Sequence, residues 1–177
     1  VKQLEANAMD QMVFLTRRDP FVALTMPREA QCAPASHASV ADFDGDGRED
    51  VFLSQNFFPT QVGAPRYDAG RGLLLLGDGQ GGLVALSAGR SGIAVLGDQR
   101  GAAHADFDGD GRLDLVVTQN AAETRLFRNQ AAAPGLRVRL VGPAGNPDGI
   151  GAQVRLVFGD VMGPVRELQA GSGYWSQ

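Results

Sequence analysis

The sequence predicts an all-β fold built from short antiparallel strands, and three features indicate this. Glycine provides 24 and proline nine of the 177 residues, a frequency that favours tight turns between short strands over long helices. A 16-residue segment occurs twice in nearly the same form, 64 residues apart. The last part of the chain alternates basic and apolar side chains, which is typical of strands with one exposed face.

The repeat is clear when the two copies are aligned. Residues 41–56 are ADFDGDGREDVFLSQN and residues 105–120 are ADFDGDGRLDLVVTQN. Among the first ten positions only one differs, where Glu49 in the first copy corresponds to Leu113 in the second. Self-similarity at a fixed spacing is the sequence signature of a repeat architecture.

The segments around each copy have the character of strands. Apolar strands are predicted directly after the copies and between them, at 51–53, 73–76, 83–86, 115–117 and 124–128. Glycine-rich stretches separate these strands. Each interval therefore holds about four short antiparallel strands, which is the content of one blade of a β-propeller.

Two further groups of strands are predicted at the ends of the chain. Residues 13–17 and 21–24 are expected to be the last two strands of a preceding blade, after a helical turn or linker at 4–12. Alternating segments after Gly135 predict strands at 137–141, 153–158 and 165–169. We therefore expect about two and a fraction partial blades in residues 1–134 and a small β domain, cut short, in residues 135–177.

The repeated segment predicts a metal site, because it places four aspartates in nine residues. They occupy positions 1, 3, 5 and 9, as Asp42, Asp44, Asp46 and Asp50 in the first copy and as Asp106, Asp108, Asp110 and Asp114 in the second. Glycines between them permit the tight backbone turns that direct these side chains to one centre. At a separation of ~5 Å, each pair of like charges would cost roughly 3 kcal/mol without a cation.

The chemistry of these ligands favours calcium. Calcium takes six to eight oxygen ligands, and we expect the backbone carbonyl of Arg48 or Arg112, at position 7, and water to complete each set. An EF-hand is excluded, because position 12 is Leu53 in one copy and Val117 in the other instead of glutamate. Two alternatives remain: plain Asp-Gly turns and another divalent ion, with magnesium the poorer fit because it retains more of its water.

The charge of the chain is concentrated in these two segments. The formal net charge is −4, and the eight aspartates named above account for eight of the 20 acidic residues. The other charged residues are 16 basic and 12 acidic, so the rest of the surface is not acidic.

Other residues that often carry function are assigned ordinary roles. Gly77, Gly79 and Gly82 satisfy the dinucleotide motif G-x-G-x-x-G, but strand and turn sequence follows where that motif requires a helix, so we predict a hairpin. His37 and His104 are expected to be strand residues. The single cysteine, Cys32, is expected to be a small buried apolar residue.

No set of residues outside the aspartates provides a nucleophile next to a base, so we expect a non-catalytic protein. Tyr174 and Trp175 could be an exposed contact, and a role as core anchors is the preferred interpretation.

The loops and their surroundings resemble the FG-GAP/VCBS repeats, as found in integrin α-chain propellers. The resemblance rests on DFDGDGREDVFLSQN, DFDGDGRLDLVVTQN and TRLFRN. The end of the chain resembles the ASPIC/UnbV domain, through LRVRL (136–140), NPDGIGAQVRL (146–156) and GSGYWSQ (171–177). The resemblance implies a propeller whose calcium loops contain the aspartates named above, in a secreted or otherwise extracytoplasmic protein.

The expected function is therefore a calcium-stabilised scaffold that interacts with a protein or a glycan, together with the remainder of the propeller. Neither a nucleic-acid partner nor a membrane span is expected. The alternative is the accessory part of a secreted carbohydrate-active enzyme whose catalytic residues lie outside this chain.

Overall fold

The computed structural model describes residues 9–16 and 21–171, and its regular structure is nearly all β. Two four-residue helices, α1 (Arg28–Gln31) and α2 (Ala88–Ser91), interrupt the strands. The strands are β1 (Met12–Leu15), β2 (Val22–Thr25), β3 (Ala35–Ala41), β4 (Asp50–Gln55), β5 (Leu73–Gly77), β6 (Leu83–Ala85), β7 (Asp98–Ala105), β8 (Asp114–Asn120), β9 (Ala122–Phe127), β10 (Gln153–Phe158) and β11 (Val161–Glu167). The predicted fold class is confirmed.

The first copy of the repeat belongs to a four-stranded antiparallel sheet with the order β3-β4-β5-β6, which we call blade 1. The second copy belongs to a sheet with the order β7-β8-β9, which we call blade 2. The expectation of about four strands per interval is met in blade 1, while blade 2 has three strands in the part of the chain that the structure describes. Both sheets are antiparallel, as predicted.

Strand β4 is buried along its whole length because it lies between two apolar clusters. Phe52 packs towards blade 2, in a cluster that includes Leu115 and Val117 of β8. The neighbouring Val51 and Leu53 point to the opposite face. There they join a cluster with α1 and β5. Since successive side chains of a strand point to opposite faces, a strand buried on both sides reads as a continuous apolar run.

Two hairpins complete the described structure. β1 pairs with β2, and β10 pairs with β11, each in a separate two-stranded antiparallel sheet. The strands predicted at 13–17 and 21–24 are found at 12–15 and 22–25, and part of the predicted 4–12 turn or linker lies outside the described residues. The strand predicted at 165–169 ends at Glu167 as β11.

The strand predicted at 137–141 was wrong. Within the described residues this segment pairs with no strand. Its alternate apolar side chains, such as Val138 and Leu140, line one cavity together with Val154 and Leu156 of β10. The alternation therefore reflects side-chain packing against the β10-β11 hairpin without a ladder of backbone hydrogen bonds.

The expected burial of Cys32 was also wrong. The residue follows α1 directly and its side chain is exposed, with Sγ 3.4 Å from the carbonyl oxygen of Arg28. The adjacent Ala30 and Ala33 take the buried positions around this short helix instead.

Candidate metal sites

Each aspartate-rich segment forms the connection between the first two strands of a blade. Residues 42–50, called loop 1, join β3 to β4, and the register pairs Ala41 with Asp50. Residues 106–114, called loop 2, join β7 to β8, and the register pairs Ala105 with Asp114. The strand pairing therefore brings the first and ninth positions of each loop to the same end of the sheet.

Three carboxylates converge in each loop. In loop 1, one oxygen each from Asp42, Asp44 and Asp50 lie within 4.8 Å of one another. In loop 2, the converging group consists of Asp106, Asp108 and Asp110, within the same distance, so the fifth position replaces the ninth. Either group could hold a metal ion.

The remaining aspartate differs between the loops. In loop 1 it is Asp46, whose carboxylate forms an ion pair of 3.2 Å with the guanidinium of Arg48. In loop 2 it is Asp114, whose two oxygens accept backbone hydrogen bonds. The predicted carbonyl ligands of Arg48 and Arg112 stay a prediction.

The ninth aspartate is a structural residue in both loops. The side chain of Asp50 is fully buried, and its Oδ2 accepts the backbone N–H groups of Phe43 at 2.8 Å and Asp44 at 3.3 Å. Its Oδ1 accepts the N–H of Gly77, at the end of β5, at 2.9 Å. The carboxylate therefore fastens the start of loop 1 to the third strand of its blade, even without an ion.

Asp114 repeats this arrangement in blade 2. Its Oδ2 accepts the N–H of Phe107 at 3.0 Å, and its Oδ1 accepts the N–H of Asn129, just after β9, at 2.8 Å. The same position of the repeat thus fixes both loops to the end of the third strand.

Loop 1 is organised by backbone hydrogen bonds to its first aspartate. Asp42 accepts the N–H groups of Gly45, Asp46 and Gly47 at 2.8, 3.1 and 2.9 Å. Gly45 and Gly47 have φ values of +77° and +86°, a conformation that strains residues with a Cβ atom. The turn that directs the carboxylates inward therefore depends on glycine at these two positions.

The electrostatics of loop 1 favour a cation. Burial raises the pKa of Asp44, and the neighbouring negative charges of Asp46 and Asp42 raise it further. Burial also raises the pKa of Asp50, against the opposing effect of the backbone N–H groups that it accepts. A bound divalent ion would compensate for both the burial and the mutual repulsion of these carboxylates.

Arginines compensate the negative charge of the aspartates in loop 2 to a greater extent than in loop 1. Asp110 pairs with Arg112 at 2.9 Å, Asp106 pairs with Arg137 at 3.3 Å, and Asp108 contacts Arg128. The backbone N–H of Arg112 and then its guanidinium lower the pKa of Asp110. In loop 1, among the described residues, the aspartates have one such ion pair, Asp46 with Arg48, while Arg166 pairs with the neighbouring Glu49.

The donor atoms of loop 2 fit a hard cation as well. Asp106 Oδ1 is buried and has no hydrogen-bond partner among the described residues, although a buried carboxylate oxygen normally has one. Clustered carboxylate oxygens are the ligands that calcium prefers. The residues present therefore fit calcium in both loops, through the converging carboxylates and water.

Asn129 was not predicted from the sequence, yet it contacts both loops. Its Nδ2 donates to the carbonyl of Phe43 in loop 1 at 2.7 Å and to the carbonyl of Leu113 in loop 2 at 3.2 Å. The signal was present, because Asn129 closes the TRLFRN segment on which the family resemblance rests in part. The sequence pattern does not show which residues Asn129 contacts, because Phe43 is 86 residues away.

The two histidines and the glycine-rich segment, which were assigned ordinary roles, are where they were expected. His37 and His104 lie in β3 and β7. The glycine-rich segment after β5 is a tight hairpin turn, in which Asp78 Oδ1 accepts the N–H groups of Gln80 and Gly82 at 2.7 and 2.9 Å. Tyr174 and Trp175 lie outside the described residues. Among the residues that are described, no helix is long and apolar enough to cross a membrane.

Comparison with known proteins identifies a repeat family over the part of the chain that contains the two loops. No curated protein and no solved structure matches the chain. Residues 42–117 match the family model of the FG-GAP-like repeat, from the first aspartate of loop 1 to β8. The FG-GAP resemblance is therefore confirmed over a span that contains both candidate metal sites.

Proposed function

We propose that this protein is a calcium-stabilised scaffold of the β-propeller type, which lies outside the cytoplasm, presents its loops to a protein or glycan partner and catalyses no reaction itself. The single observation that carries the proposal is the repeated convergence of three carboxylates at the same end of two adjacent blades. The match to the FG-GAP-like repeat supports it, because it covers both loops.

The proposal extends to the parts of the chain outside that match. Residues 135–177 form an ASPIC/UnbV-like unit, and further blades of the FG-GAP/VCBS type complete the propeller in this interpretation. Calcium supplies positive charge that holds each loop in one conformation. A rigid loop loses less conformational entropy when it binds a partner, which favours recognition by the loops over recognition by the strands.

Calcium binding is expected in both loops, with unequal affinity. Titration calorimetry on chelator-treated protein should detect two ions per chain, with dissociation constants on the order of 10⁻⁴ M. Loop 1 should bind several times more tightly, because binding in loop 2 requires Asp106 and Asp108 to exchange their contacts with Arg137 and Arg128 for the ion. Ion pairs with an exposed arginine, as in these two, contribute roughly 0.2–1 kcal/mol each.

Single substitutions separate the two sites. Asp44→Ala should remove the tighter site and Asp108→Ala the weaker one, because each residue belongs to one converging group. Asp160→Ala, in the exposed turn between β10 and β11, is the matched control and should change neither. Calcium would be excluded from these loops if the wild-type protein gave no heat on calcium addition. The same conclusion would follow if the double variant, Asp44→Ala with Asp108→Ala, still bound two ions.

The distinction between scaffold and enzyme requires a separate measurement. We expect the protein to bind a component of a glycan or protein array in calcium but not in chelator, and to give no turnover on glycoside, ester or phosphoester substrates. Asp44→Ala combined with Asp108→Ala should abolish the array signal. Turnover that disappears on a substitution outside the eight aspartates would show that the chain itself is an enzyme.

A further inference from the structure

The two candidate metal sites share a structural element, the connecting segment, defined as residues 129–135. It follows β9 and passes between loop 1 and loop 2. Asn129 begins the segment and donates through Nδ2 to a backbone carbonyl of each loop. One side chain therefore holds both loops.

On the loop 1 side, the connecting segment contacts the part of the loop that positions the ligands. The carbonyl that accepts from Asn129 belongs to Phe43, which lies between Asp42 and Asp44 in the sequence. The N–H of Phe43 donates to Asp50, so both the N–H and the carbonyl of Phe43 have hydrogen-bond partners. A Cβ atom on Gly45 would lie 2.9 Å from the carbonyl oxygen of Ala133, so the turn packs directly against the segment.

On the loop 2 side, the connecting segment contacts the loop through four hydrogen bonds. The N–H of Asn129 donates to Asp114, and its Nδ2 donates to the carbonyl of Leu113. The N–H of Gly135 donates to the carbonyl of Gly111 at 2.6 Å. Arg112 Nε donates to the carbonyl of Ala132 at 2.6 Å, so the segment is held at both of its ends.

We propose that Asn129 is a positioning residue shared by both loops, and that through the connecting segment it couples them, so that an ion in one loop raises the calcium affinity of the other. The inference rests on the proposed calcium function. An ion fixes the backbone of the loop that binds it, and the Asn129 contacts pass this restraint to the other loop. The second ion then orders less backbone, which is positive cooperativity without a large movement.

The coupling is measurable without any change at Asn129. In calorimetry on the full chain, Asp108→Ala reports the intrinsic affinity of loop 1 and Asp44→Ala that of loop 2. If the loops are coupled, the wild-type isotherm rises more steeply than the sum of these two isotherms. We expect a coupling of about fivefold in affinity, at the low end of the usual range, and the same factor from either loop because coupling is reciprocal.

Two variants test whether Asn129 carries the coupling. Asn129→Asp keeps an oxygen for the N–H groups of Ala131 and Ala132 but removes both Nδ2 donors. Its added charge shifts the affinity of both loops together, whereas the coupling factor, a ratio, should fall to one. Asn129→Ala should do the same if it remains folded by circular dichroism. Asn146→Ala is the control and should keep the coupling, because among the described residues the Asn146 side chain bonds only to Ile150.

The outcomes separate this inference from the proposed function. A wild-type isotherm equal to the sum of the two single-site isotherms would overturn the coupling while leaving calcium binding intact. Coupling that persists in Asn129→Asp would overturn the role of Asn129. Absence of calcium heat from the wild type would instead remove the proposed function on which both rest.

Discussion

Replacing Asp50 with alanine is expected to destabilise the ion-free protein by about 4 kcal/mol. The substitution leaves the N–H groups of Phe43, Asp44 and Gly77 without their acceptor in a buried site. A buried donor that loses its partner costs about 1–3 kcal/mol. The loss is partly offset because burial already disfavours the charged form of Asp50 and raises its pKa. Urea unfolding of chelator-treated protein measures the effect.

The matched comparison is Asp46→Ala in the same loop. The Asp46 carboxylate accepts the N–H of Arg48 at 2.9 Å and pairs with its guanidinium at an exposed position, so we expect a loss of about 1 kcal/mol or less. Asp50→Asn retains one acceptor oxygen and should fall between the two. Equal destabilisation by Asp46→Ala and Asp50→Ala in chelator would mean that Asp50 has no structural role beyond binding an ion.

This difference between aspartates marks a limit of sequence analysis. The spacing of positions 1, 3, 5 and 9 presents the four carboxylates as equivalent ligands. The structure distinguishes the ninth, because Asp50 contacts Gly77, 27 residues later, and Asp114 contacts Asn129, 15 residues later. Neither partner belongs to the repeated segment. Local spacing predicts where a loop turns, but not which distant backbone groups its side chains satisfy.

The strands follow the same distinction between local and long-range information. β4 and β8 were predicted correctly because apolar runs beside turn residues are a local signal. The prediction of a strand at 137–141 was wrong because alternation reports which side chains are buried, not whether a neighbouring strand lies within hydrogen-bonding distance. Asn129 was missed for a related reason, since its partner Phe43 is near it only after the two blades have packed together.

Saturating calcium is expected to raise the melting temperature by about 5–10 °C over the value in chelator. An ion that binds the folded loops and not the unfolded chain stabilises the protein by RT ln(1 + [L]/Kd) for each site. At ten times the dissociation constant this is about 1.4 kcal/mol per site, and in a domain of this size each kcal/mol raises the melting temperature by about 2–4 °C. The measurement is a thermal melt followed by circular dichroism at a series of calcium concentrations.

The series of concentrations makes the result specific. The melting temperature should continue to rise above saturation, because the free energy increases with the logarithm of free calcium. Asp44→Ala should lose more of the shift than Asp108→Ala, because loop 1 is expected to bind more tightly, and the double variant should lose all of it. Magnesium at the same concentration should give a smaller shift, because it retains more of its bound water. If melts in calcium and in chelator are superimposable, the two loops are Asp-Gly turns held together by Asp50, Asp114 and their backbone hydrogen bonds alone.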